Sequence, residues 1–128
     1  MTEISDFKQL DVWQKGRDLV QIIYGITLRF PGAERNALAT QMQRAAISVP
    51  SSIAEGYGRG TRQEYMHSLR LARGSLCELE SQLILAHDLG LVTDPEPISV
   101  VIRDTHRLLH GLLRALHRPP GDGKEASQ

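Results

Sequence analysis

The chain is poor in sulfur and in aromatic surface, with one cysteine, Cys77, and aromatic residues at 5% of its 128 positions. A lone cysteine excludes an intrachain disulfide framework, and no basic-then-apolar leader opens the sequence, so a reducing cytoplasm is the expected setting. Long apolar runs are missing too. Those present, such as the one that contains Ile84-Leu85-Ala86, fall far short of the roughly 20 residues a membrane span needs, so no membrane partner is expected. No segment alternates apolar and polar residues with period two, which removes a sheet from consideration. Net charge is absent as well, because fifteen Lys and Arg balance fifteen Asp and Glu. That balance excludes the strongly basic class of nucleic-acid binders, yet it hides an uneven distribution. With residues 1–6 and 119–128 set aside as loose ends, fourteen basic residues face eleven acidic ones.

What is present is helical periodicity. A length of 128 residues fits one domain, here residues 1–118, and the apolar-poor RPPGDGKEASQ at the end predicts a disordered tail over 119–128. The first helix is expected to start at Ser5 or Asp6 and to carry Leu10, Trp13, Val20, Tyr24 and Thr27 on one stripe until Pro31-Gly32 stops it. A second starts near Ala33 with Leu38, Met42, Ala45, Val49 and Ile53 in phase, and ends in the glycines Gly56, Gly58 and Gly60. The phase persists across Pro50, which predicts a kinked but continuing helix, with Ser48, Ser51 and Ser52 available to the freed carbonyl. Thr61-x-x-Glu64 is a capping box that opens the third helix. Tyr65, Leu69, Ala72, Leu76, Leu79, Leu83 and Ala86 form its seam, and Gly90 is its left-handed cap. In the fourth, Asp94 is the expected N-cap with Pro95 in the first turn, and Val101, Leu108, Leu109, Leu112 and Leu116 supply the buried face. Short connections between helices of this length make antiparallel neighbours. The expected fold is therefore an all-α, up-and-down four-helix bundle.

Motifs for chemistry are scarce. Gly56-Tyr57-Gly58-Arg59-Gly60 follows a helix, whereas dinucleotide and Walker loops follow a strand, so it reads as a helix end and not as a phosphate cradle. A single Glu64-x-x-His67 resembles half of a di-iron motif, but such sites need two copies and two further glutamates. His106 and His110 have the spacing of a zinc pair without a third ligand. Neither Cys77 nor any serine sits in a nucleophile signature. No enzyme activity, metal or cofactor is expected.

Arginine patterning is the feature that points to a partner. At about 100° per residue, Arg103, His106, Arg107, His110, Arg114, His117 and Arg118 fall on one face of the fourth helix, a stripe about 22 Å long with Asp104 as its nearby counter-charge. A second cluster, Arg59, Arg62, Arg70 and Arg73, brackets the start of the third helix, where Glu55 stands four residues before Arg59 in the order that favours an ion pair. These eight arginines are the candidate nucleic-acid-binding residues, for RNA or DNA. The alternative is a solvated face, or arginines used in ion pairs between subunits of an interaction scaffold.

LDVWQKGRDLV, FPGAE, QMQRAAISVPSSIAEGYGR and LRLARGSLCELESQL occur in an order and spacing that resemble the four-helix bundle proteins encoded within intervening sequences of bacterial 23S ribosomal RNA genes. The resemblance covers Phe7 to Val92 and departs at Ser52, where that family commonly has Asn. It implies a bundle that assembles with copies of itself as a ring of five. It also implies kinship to accessory proteins of diversity-generating retroelements, which engage nucleic acid and a reverse transcriptase.

Overall fold

The structure is a computed structural model that describes residues 5–33 and 36–117. It contains four α-helices, α1 (Asp11–Thr27), α2 (Asn36–Arg59), α3 (Arg62–Asp88) and α4 (Glu96–His117), with one 3-10 turn, Phe7–Gln9, ahead of α1. No strand occurs among the described residues. No described helix is long and apolar enough to cross a membrane. The tail over 119–128 and Arg118 lie outside the described residues.

Each helix packs against its neighbours in the chain, and α4 closes the group by packing on both α1 and α3. Contacts fix the sense of each pairing. Gly16 of α1 faces Val49 and Pro50 of α2, while Thr27 at the other end of α1 accepts a 2.9 Å hydrogen bond from Gln43. Between α2 and α3, Gly56 meets Ser68 and the hydroxyls of Ser48 and Ser75 touch. The start of α3 lies beside the end of α4, since Met66 and Arg70 share a hollow with Arg114 and His117. Along the middle, Leu19, Ile23, Met42, Ile53, Leu69, Leu76, Leu79, Leu83, Ile102 and Leu109 are removed from solvent. Each contributes about 1.5–3 kcal/mol by its burial. Two buried hydroxyls are satisfied locally: Thr27 Oγ1 donates to the Ile23 carbonyl at 2.7 Å, and Thr105 Oγ1 to the Val101 carbonyl at 2.7 Å.

The first helix begins later than its sequence implies. Asp6 is a cap, but of the 3-10 turn: its carboxylate accepts from the Lys8 N–H at 2.8 Å. That bond and the Lys8 ammonium hold its pKa below the usual carboxylate value. Ser5 and Asp6 are thus part of the fold, not a loose end. Leu10 is extended, and the reversal there sets the Phe7 ring edge-on to Trp13 at 5.2 Å. A helix continuing upstream would forfeit that contact. The buried line of α1 is accordingly Val12, Gly16, Leu19, Ile23 and Thr27, with Leu10, Trp13 and Val20 only half-buried beside it.

α2 runs through Pro50 without interruption, as phase predicts. Its serines do not all serve the proline, because Ser48 reaches across to Ser75. Nor does the helix end at the first glycines. Gly56 and Gly58 are helical, Arg59 is the last residue, and Gly60 at φ 94° turns the chain. The Thr61 hydroxyl then accepts from the Glu64 N–H at 3.1 Å and donates to the Glu64 carboxylate at 3.0 Å, which starts α3. All of its expected seam is buried except Tyr65, which is half-buried. At its end Gly90 (φ 77°) donates to the His87 carbonyl and Leu91 to the Ala86 carbonyl, the pattern of a Schellman cap.

α4 starts two residues after Asp94, whose carboxylate accepts from the Glu96 N–H at 3.2 Å. Its buried face is also rotated relative to expectation. Ile98, Ile102, Thr105, Leu109 and Leu113 are buried, whereas Val101, Leu108, Leu112 and Leu116 are partly covered. The helix must face α1 and α3 together, so its apolar arc is wider than one leucine row.

Two tests follow from this packing. An alanine methyl at Gly56 would overlap Ser68 Cβ and stand 2.9 Å from its hydroxyl. Gly56→Ala should lower stability by about 1–3 kcal/mol in urea denaturation, and adding Ser68→Gly should recover part of the loss, whereas adding Ser68→Ala should not. Tyr65 is the second case: its hydroxyl is buried with no hydrogen-bond partner among the described residues. Burial, with a smaller contribution from Tyr57, pushes its pKa up to about 12. The folded state resists ionising Tyr65, so stability falls as pH rises from the free tyrosine value near 10 toward 12. Tyr65→Phe should stabilise the protein by about 1 kcal/mol at pH 7, and by a larger margin at pH 11, in paired thermal melts.

Candidate functional site

The arginines singled out by sequence do not share one fate. Arg59 at the end of α2 bonds Glu55 at 2.7 Å and lies 4.0 Å from Glu64. Glu55, by its hydrogen bond first and its charge second, and then Glu64 raise the guanidinium pKa. Arg62, the first residue of α3, is engaged as well. In α4, Arg103 reaches back two turns to Glu96 at 2.9 Å, and Arg107 pairs with Asp104 at 2.9 Å. His106 stands 4.0 Å from Glu80 of α3. The seven-residue stripe is therefore partly neutralised, by Glu96 and Glu80 in addition to the expected Asp104.

Three arginines remain among the described residues. Arg70 and Arg73 of α3 and Arg114 of α4 are exposed and make no side-chain hydrogen bond or ion pair with any described residue. The structure brings these three together. With His110 and His117 they line a groove of about 240 Å³ between the first half of α3 and the last turns of α4. Its floor is Met66 and Leu113, which are 8% and 7% exposed. No carboxylate lines this groove among the described residues. The two sequence clusters thus join, through three of the seven members that are described.

The convergence follows from helix rotation. Ser68 is held under Gly56 of α2, and Met66, Arg70 and Arg73 then point about 140–200° away around α3, toward α4. On α4, burial of Ile102 and Leu109 turns His110, Arg114 and His117 toward α3. Arg114 and His117 occupy the last turn of α4, where a cation also complements the helix dipole. Farther up the same seam, the His106–Glu80 contact marks where the basic segment ends.

Another hollow, of about 400 Å³, lies on the α2 side of α3, lined by Glu55, Arg59, Glu64 and His67 among others. Its two carboxylates offset its cations, so it offers an anion little. Sequence reasoning missed Met66 and Leu113. Met66 stands one turn before Arg70 and Leu113 directly precedes Arg114, a juxtaposition that becomes visible only when both helices are in place. No group of three or more His, Cys, Asp or Glu side chains able to hold a metal ion occurs among the described residues.

No curated protein matches the chain. The model of the 23S rRNA-intervening sequence protein family does match, over residues 8–111, and so takes in all of α1, α2 and α3 and most of α4. A four-helix, all-α chain matched over that length belongs to the 23S rRNA-intervening sequence protein family.

Proposed function

We propose that this protein is a non-enzymatic nucleic-acid-binding module, with RNA as the favoured ligand, and that it contacts the phosphate backbone through the groove between α3 and α4. One observation carries the reading: Arg70, Arg73 and Arg114 converge without a carboxylate partner among the described residues, while Arg59, Arg103 and Arg107 are each paired. Unpaired guanidinium groups keep all their donors for phosphate oxygens, and a paired one must first give up its acid. The family's name refers to ribosomal RNA, which is the reason RNA is taken before DNA.

Self-association is the second element of the proposal, as an up-and-down bundle assembled in the five-membered ring expected above. Leu71, Leu85 and Leu89 support it. They lie along one side of α3 and at its end and are 51%, 49% and 58% exposed, more apolar surface than a solvated helix face needs.

Fluorescence anisotropy with a labelled RNA hairpin in low salt tests the first element. Arg73→Glu with Arg114→Glu should weaken binding more than tenfold, and Arg103→Gln with Arg107→Gln should change it less than about twofold, at roughly 1 kcal/mol or more per lost charged hydrogen bond. Equal losses in the two variants would overturn the assignment to the groove. Sedimentation velocity tests the second. Leu85→Glu with Leu89→Glu should give a smaller particle at unchanged helicity, and an unchanged particle would remove α3 from the subunit contact. If the groove reversals themselves shrink the particle, these arginines belong to subunit contacts and the scaffold reading replaces the binding one.

A further inference from the structure

The groove is not uniformly polar. Its rim holds three guanidinium groups and two imidazoles, but its floor is the thioether of Met66 and the isobutyl group of Leu113. Only the edges of Met66 and Leu113 reach the groove, at 8% and 7% exposure, and the aliphatic stems of the arginines extend the apolar lining around them; a phosphate chain alone would leave this surface facing water. A duplex would do the same, because its base faces are stacked inside and its outer surface presents sugars and phosphates. An unpaired nucleotide satisfies both parts at once: the base is flat and apolar on its faces, and the phosphate lies within reach of the rim. Arginine suits the walls of such a site, since a planar guanidinium stacks on a base while it donates to phosphate.

Resting on the nucleic-acid reading above, we infer that the α3–α4 groove selects unpaired nucleotides, taking a splayed base onto Met66 and Leu113 with its phosphates on Arg70, Arg73 and Arg114. The site is therefore a reader of loops, bulges or single strands.

Three probes of equal length, used with the full chain at one salt concentration, separate the possibilities: a single-stranded RNA, its duplex, and an abasic strand with the same phosphates and no bases. Stacking contributes about 1–3 kcal/mol per base. The single strand is therefore expected to bind at least about fivefold more tightly than the abasic strand, and more tightly than the duplex. Arg73→Lys with Arg114→Lys keeps the charge and removes the planar groups. It should reduce the preference for bases while leaving abasic-strand affinity within about twofold. Equal binding of all three probes would overturn base recognition and leave phosphate binding standing. Failure of every probe to bind would overturn the nucleic-acid reading itself.

Discussion

The arrangement depends on one close approach. Gly56 of α2 and Ser68 of α3 lie nearer to each other than any side chain at position 56 would permit, and this contact sets the rotation of α3 about its own axis. Rotation then distributes the rest. Leu69, Leu76, Leu79 and Leu83 turn inward, Ser75 meets Ser48, Leu71 is left on the α2 side, and Met66, Arg70 and Arg73 face α4. A single-residue rotation, about 100°, would bring arginine into the core and a leucine into the groove. Packing between α2 and α3 therefore determines where the basic surface lies, although neither partner in the contact is charged.

Electrostatics then divide the surface. Overall charge is zero, and most exposed ion pairs of this kind add less than about 1 kcal/mol to stability. Their effect here is on the field. Glu55, Glu96 and Asp104 each hold one arginine at 2.7–2.9 Å, so positive potential is cancelled along the helix two–three corner and the upper part of α4. It persists at the lower end of the α3–α4 seam, where no described acid reaches. A neutral protein can present a basic site in this way, because the relevant quantity is the local imbalance and not the sum.

Much of the fold is readable along the chain. The α3 seam from Leu69 to Ala86, the Thr61 cap, the Gly90 cap and the passage of α2 through Pro50 all follow from local phase and local hydrogen bonding. The errors have a common origin in contacts that helical phase does not contain. The start of α1 shifts because Phe7 folds back on Trp13, and the buried row of α4 rotates because that helix serves two neighbours. The site was half legible. Both arginine clusters are visible in the sequence, but Glu80 lies on another helix from His106, and Arg103 spans two turns to Glu96. The pairs of Arg59 with Glu55 and Arg107 with Asp104 follow from spacing within one helix, whereas those of Arg103 with Glu96 and His106 with Glu80 depend on side-chain reach that spacing alone does not give.

Counting the phosphates contacted is the most direct test of the central claim, that three arginines with no partner among the described residues form one anion-binding surface. For a single strand, the logarithm of affinity falls with the logarithm of salt concentration by about 0.7 per phosphate neutralised. Three contacts predict a slope of about −2 for the native protein, reduced by about 0.7 in Arg114→Gln and toward zero when Arg70, Arg73 and Arg114 are all replaced by Gln. A slope that is the same in the native protein and the triple variant would contradict the account.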